Sequence, residues 1–210
     1  MFTNVLSQTA QRALAILGKS DLVKDAYLAG GSALALHFGH RISVDFDFFT
    51  RLSFVPQDLS NKLTKIGKFE ETLAKGISLI GTFETVKFSY FQYDYPLITP
   101  TVLFSQVSIA QPLDIAAMKL VAICDRGTKR DFIDLYELTK HNISMDDMFS
   151  AYNQKYGKLE QNVYTLITAL NYFDEADLKE MPQMLIQVSW EEVKQFFISE
   201  SLRLAKKYLR

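Results

Sequence analysis

The stretch from Tyr27 to Thr50, YLAGGSALALHFGHRISVDFDFFT, restricts the chain more than any other. A short apolar segment ends in Gly30-Gly31-Ser32, a helical pattern follows from Ala33 to Phe38, and Gly39 stops it. The next run, Ile42 to Phe48, alternates, and a period of two puts Asp45 and Asp47 on one side of a strand with Val44, Phe46 and Phe48 on the other. Two carboxylates side by side repel one another and call for a cation. Adjacent oxygen ligands suit Mg²⁺ or Mn²⁺ far better than a soft metal.

The glycines supply the other half of the pattern. With no Cβ, Gly30 and Gly31 let the backbone turn tightly and approach a ligand. Ser32 is positioned as the N-cap of the following helix. A helix N-terminus behind such a turn offers N–H groups and partial positive charge to phosphate. Taken singly, the glycines read as a turn and each aspartate as a solvated strand residue. In this order and spacing they read as a nucleotide site. Arg41 and Ser43 share the aspartates' phase, which makes Arg41 a candidate phosphate or carboxylate partner, with a surface ion pair as the alternative. His37 and His40, at a helix end, read as structural.

The string Gly-Gly-Ser, helix, Asp-Phe-Asp-Phe resembles the DNA polymerase β superfamily of nucleotidyltransferases. With Ala33, Leu34, Leu36, Gly39-His40-Arg41, Ser43 and Phe49 added, it resembles the AbiEii/AbiGii toxin family within that superfamily. A second string, KLVAICDRGTKRDFIDLY, resembles that family's second signature. The resemblance implies an α+β fold: a polymerase β-like core of mixed sheet and helices over residues 1–110, then a helical bundle over 111–210 that packs on the core and completes the site. It implies transfer of a nucleotide from an NTP to an acceptor hydroxyl on tRNA or protein, by the toxin of a toxin–antitoxin or phage-defence pair with a cognate antitoxin.

Asp45 and Asp47 would then hold one or two Mg²⁺ ions, and Gly30, Gly31 and Ser32 would cradle phosphates. Lys119 matches the family's phosphate-binding lysine, and Arg130, Asp131 and Asp134 match its basic-acidic motif. Arg126, seven residues from Lys119, shares its helix face and joins Arg41 as a further candidate for phosphate charge. Asp131 or Asp134 would orient Lys119 or act as a base. A plain i,i+4 surface pair is the competing account of Arg130 and Asp134. The superfamily's third carboxylate has no distinct match: Glu84 and Asp94 are the candidates, and Val86 to Tyr90 offers only Ser89 as an oxygen ligand. That gap motivates one alternative, a degenerate nucleotide- or partner-binding module; an aminoglycoside-type adenylyltransferase is another, since it shares the fold and first motif but fits the Arg130–Asp134 string less well.

Elsewhere, apolar spacing predicts a helix over Asn4–Leu17 stopped by Gly18, and another over Pro56–Ile66. β-Formers between Phe69 and Tyr95 predict two or three antiparallel strands beside the aspartate strand, with a further strand over Gln106–Ala110. Beyond Pro112 the pattern is helical: Leu113–Asp125, Lys129–Thr139, Met145–Tyr156, Gln161–Tyr172 and Glu191–Tyr208. The last carries a stripe of Val193, Phe196, Phe197, Leu202, Leu204 and Tyr208, read as core. A net charge of −1 over 210 residues disfavours a broad nucleic-acid surface, though not a local patch. The single cysteine, Cys124, excludes an internal disulfide framework, fits a reducing cytoplasm and reads as a small buried residue. No run is apolar and long enough to span a bilayer.

Overall fold

The computed structural model describes residues Met1–Leu209. The chain divides into two compact units, Met1–Gln111 and Pro112–Arg210.

In the first unit the apolar alternation of the aspartate run forms a strand at the middle of a seven-stranded sheet. In chain order the elements are a 3-10 turn (Thr3–Val5), α1 (Gln8–Lys19), β1 (Tyr27–Ala29), α2 (Gly30–Phe38), β2 (Asp45–Thr50) and α3 (Pro56–Ile66). Five strands follow: β3 (Phe69–Lys75), β4 (Ser78–Phe83), β5 (Val86–Gln92), β6 (Val102–Phe104) and β7 (Val107–Ile109). The sheet order is β3-β4-β5-β2-β1-β7-β6. β3, β4 and β5 form an antiparallel meander as the β-formers predict, but β5 joins β2 in parallel. β1 runs antiparallel to β2 and parallel to β7. The sheet is therefore mixed.

Phe46 and Phe48 face inward with no exposure, together with Phe88, and the Phe48 and Phe88 rings lie 5.6 Å apart. Burial of aromatic area on this scale is what fixes the register, since a slip by one residue would turn both phenylalanines to solvent and both aspartates into the core. Val44 does not join them. It is 51% exposed, because the strand starts only at Asp45.

Gly18 lies inside α1 and does not end it. An ideal Cβ at that position would sit 2.0 Å from the carbonyl oxygen of Ser105, so this glycine admits the β6–β7 turn against the helix. Ser20 closes the helix instead.

The second unit comprises α4 (Pro112–Asp125), α5 (Lys129–Lys140), α6 (Met145–Tyr156), α7 (Leu159–Ala169), a single turn α8 (Asp174–Asp177) and α9 (Trp190–Tyr208). Phe132, Phe149 and Phe197 form its fully buried centre. Of the apolar stripe on α9, Val193, Phe197 and Leu204 are buried, whereas Leu202 is 61% exposed and lies off that face. α6 starts on Ser144, whose hydroxyl accepts from the Asp147 N–H at 3.2 Å, and ends on Gly157 at a φ of 64°. A buried ion pair, Lys155 Nζ to Asp114 Oδ1 at 2.9 Å, joins α6 to α4 with both side chains sealed from solvent. Among the described residues no helix is long and apolar enough to cross a membrane.

Candidate active site

The turn and the aspartate strand meet because β1 and β2 are antiparallel neighbours. Ala29, the last residue of β1, pairs with Asp47, so the chain passes directly from Asp47's register partner into Gly30, the first residue of α2. Gly30 takes a φ of +67°, which disfavours an L side chain. A Cβ there would lie 3.1 Å from Asp47 Oδ2, so the carboxylate rests against the glycine itself. Asp45 and Asp47 are both half-buried on the face opposite Phe46 and Phe48, about 7 Å apart at Cα as same-face strand neighbours are.

Ser32 is not the N-cap. Ala29 holds that position without a side-chain bond, and Ser32 lies within the first turn, almost fully buried. Its hydroxyl donates to the Asp45 carbonyl oxygen and stands 2.8 Å from Ser43 Oγ. A hydroxyl has one proton, so Ser43 must be the donor in the second bond. Arg41 Nη1 in turn donates to the Ile42 carbonyl at 3.1 Å and to Ser43 Oγ at 3.5 Å. Arg41 is only 2% exposed, and its Nη2 would be 2.2 Å from a Cβ at Gly31. Arg41 and Ser43 thus precede the regular strand and form a buried chain, Arg41 to Ser43 to Ser32 to the Asp45 backbone, which ties the helix start to the first residue of β2. Gly31 is the space into which the guanidinium fits.

Neither candidate for a third carboxylate lies beside the pair. Asp47's partner on β5 is Ser89. Glu84 sits in the β4–β5 turn and accepts from the Lys68 N–H at 2.7 Å, while Asp94 lies beyond β5 and accepts from Gln92 Nε2 at 3.0 Å. Each is five residues from Ser89, about 16 Å along an extended strand. Among the described residues no group of three or more His, Cys, Asp or Glu could hold a metal ion. The protein's contribution would be two carboxylates, and Mg²⁺ suits that set because it commonly takes one or two carboxylates and completes its shell with substrate phosphates and water. A cavity of about 420 Å³ in this unit contains neither aspartate and opens near Asp25, Thr50 and Phe54. His40 is fully buried, and His37 is half-buried with Nε2 at 2.8 Å from the Ala110 carbonyl. Burial lowers the His37 pKa.

In the second unit the two ends of the KLVAICDRGTKRDFIDLY string converge on Lys119. From α4 its ammonium reaches Asp131 Oδ1 at 2.8 Å and Asp134 Oδ2 at 2.6 Å, both on α5, where the i,i+3 spacing aligns them. Lys119 is 5% exposed and the two aspartates are fully buried. Arg126, just past α4, grips Asp131 with Nε at 3.0 Å and Nη2 at 3.2 Å. Thr128 adds its N–H at 3.3 Å and its hydroxyl at 2.6 Å. Asp131 therefore serves five donors and caps the start of α5. Burial alone would raise its pKa, but Lys119 and Arg126 outweigh it and hold the carboxyl far below the usual carboxylate range. A carboxylate so held stays ionised near neutrality, with one oxygen aligned on the Lys119 ammonium. Arg130 is exposed on α5, and the Arg126 side chain is 63% exposed outside its contact with Asp131. Cys124 is half-buried, and burial, then Asp125, pushes its thiol up to about 11.

Residues 12–207 match the family model described as nucleotidyl transferase AbiEii toxin, type IV TA system. An uncharacterized protein of Aquifex aeolicus (strain VF5) is 34% identical over 209 residues, covering 97% of this chain and 98% of that one. The fold is similar to the crystal structure of JHP933 from Helicobacter pylori, with a TM-score of 0.55 at 18% identity, over 97% of this chain and 94% of that one. It is also similar to MenT4, a nucleotidyltransferase toxin of Mycobacterium tuberculosis H37Rv, with a TM-score of 0.52 at 15% identity, over 95% and 89% of the two chains. The chain belongs to the nucleotidyl transferase AbiEii toxin family of type IV toxin–antitoxin systems.

Proposed function

We propose that the chain moves a nucleoside monophosphate from an NTP to a hydroxyl of tRNA or protein in the cytoplasm, with Mg²⁺ or Mn²⁺ held by Asp45 and Asp47, and that a cognate antitoxin opposes it. The observation that carries this reading is the contact of the Asp47 carboxylate with Gly30 at the N-terminus of α2. One place then offers both carboxylates for a cation and backbone N–H groups for phosphate oxygens. Bound there, the ion would supply Lewis-acid polarisation and neutralise phosphate charge. The acceptor hydroxyl gives up its proton to solvent as its oxygen attacks the α-phosphorus, the bond from that phosphorus to the bridging oxygen breaks, and pyrophosphate leaves. Gly30 and Gly31 give the phosphates access to the helix start, and the Arg41–Ser43–Ser32 chain holds Asp45's backbone in place. Asp131 and Asp134 engage two of the three donors of the Lys119 ammonium. Within the second unit the remaining donor, with Arg126 and Arg130, is proposed as a source of positive charge for phosphate.

Incubation with Mg²⁺, labelled NTPs and total tRNA or cell protein tests the proposal. Label should reach an acceptor, and Asp45→Asn or Asp47→Asn should reduce transfer by at least about a hundredfold, the scale of losing a group that stabilises transition-state charge. Undiminished transfer by the double variant would remove the assignment. Ser89 opposite Asp47, in place of a third acid, favours one second reading: binding of nucleotide without turnover. Calorimetric NTP binding with no pyrophosphate release would select it.

A further inference from the structure

We propose that Phe49, Phe91, Tyr93 and Tyr95 form a stacking platform for the base of the nucleotide whose phosphates engage Asp45 and Asp47, an inference that rests on the proposed function. Residues in register on adjacent strands point to the same face. On the aspartate face Lys87 therefore neighbours Asp45, Ser89 neighbours Asp47, and Phe91 and Tyr27 flank Phe49. Along β2 the face changes from carboxylate to aromatic in a single same-face step of about 7 Å. That is one sugar's reach from a phosphate at Asp47.

The rings are contiguous. Phe49 lies 5.9 Å from Tyr27, 5.7 Å from Phe91 and 5.3 Å from Tyr93, and Tyr93 lies 5.1 Å from Tyr95. Cross-strand aromatic pairs also cement sheets. Here, however, the opposite face already carries a sealed aromatic core in Phe46, Phe48 and Phe88. Phe49, Phe91 and Tyr93 remain half-buried, and Tyr95 is 37% exposed. Half-open rings bordering paired carboxylates leave π-face area that something flat can cover. A nucleobase is flat, and every base has a π-face, so the platform accepts the four bases with little discrimination.

Calorimetry on the full chain with Mg²⁺ decides the matter, using ATP and inorganic tripolyphosphate as probes. Wild type should bind ATP more tightly than tripolyphosphate. Phe49→Leu, which keeps an apolar side chain, should weaken ATP by roughly 5- to 150-fold, the range for loss of one base–aromatic stack. Tripolyphosphate affinity should change less than about twofold, and Phe49→Tyr should restore ATP binding. Tyr95→Ala, at the exposed end, tests the same loss without touching the interior. Equal losses for both probes, or no loss for ATP in either variant, overturn the platform. So does loss of RNA binding with ATP binding intact, which would give the rings to the acceptor. Wild-type protein that binds ATP and tripolyphosphate equally refutes the platform alone, whereas protein that binds neither refutes the proposed function with it.

Discussion

Lys119→Met removes one cation from between two sealed carboxylates. At an effective dielectric of about 20, each of its contacts, 2.8 Å to Asp131 and 2.6 Å to Asp134, carries a gross attraction of about 6 kcal/mol. Most of that is cancelled by the cost of taking three charges out of water and by the repulsion between the two aspartates. The net loss on breaking a buried pair from one side is about 3–5 kcal/mol. Asp131 retains Arg126 and Thr128 in the variant, which limits its share of the penalty. The chain's single tryptophan, Trp190, gives a local readout: its ring lies 5.8 Å from Phe132, the residue that follows Asp131 on α5. Urea unfolding followed by Trp190 fluorescence at neutral pH should therefore show a loss of about 3–5 kcal/mol out of a total of about 5–15. Adding Asp134→Leu removes one of the two carboxylates that share the lysine, and the double variant should be more stable than the sum of the two single losses by about 1–3 kcal/mol. A single-variant loss below about 1 kcal/mol, or additivity within about 0.5 kcal/mol, would refute the account of Lys119 as a cation coupled to both aspartates.

Three further outcomes follow from single contacts. Gly18→Ala should lower the melting temperature, although alanine usually improves a helix interior by about 1 kcal/mol, because its Cβ would meet the Ser105 carbonyl; a raised melting temperature counts against that packing. Gly30→Ala places an L side chain at positive φ and should cost about 1–2 kcal/mol in denaturant unfolding, with a separate fall in NTP affinity by calorimetry; unchanged affinity would detach Gly30 from the site. Asp131's depressed folded-state pKa stabilises the fold above the unfolded value of about 3.9, and that contribution is lost as pH falls through the folded value. Between pH 6 and 2 the urea midpoint read by Trp190 should fall, and Asp131→Asn should fall less; parallel curves would show that this carboxylate does not link folding to pH.

How far the sequence reveals these features depends on whether the decisive contact is local. The alternation of Asp45 to Phe48 was readable because one face of β2 is sealed and the other is not, a pattern written within four residues. The limits of α3 and α6 were readable because Pro56 and Ser144 act on their own first turns. Gly18 was misread as a stop because its reason for being glycine lies at Ser105, far along the chain. Ser32 was misread as a cap for the same reason, since its bonds run to Ser43 and Asp45 and not to its own helix. The parallel pairing of β5 with β2 has no local signature at all, because strand direction depends on the path of the intervening chain.

Asp131 shows what this means for reading chemistry from a motif. Its acid, three residues after Thr128, is the pattern of a helix start as much as of a site, and the structure has it performing the first task while also aligning Lys119. A substitution there changes the helix, the lysine and the charge together, so loss of activity alone would not identify a catalytic residue. Arg126 separates the roles. It touches Asp131 yet stays largely in solvent, so Arg126→Gln leaves the buried aspartates with Lys119 and the Thr128 cap, and its cost to folding should be about 1–2 kcal/mol, below the about 3–5 of removing Lys119. If the motif serves phosphate binding, this variant loses NTP affinity out of proportion to that change. If the motif is architecture alone, affinity and stability move together.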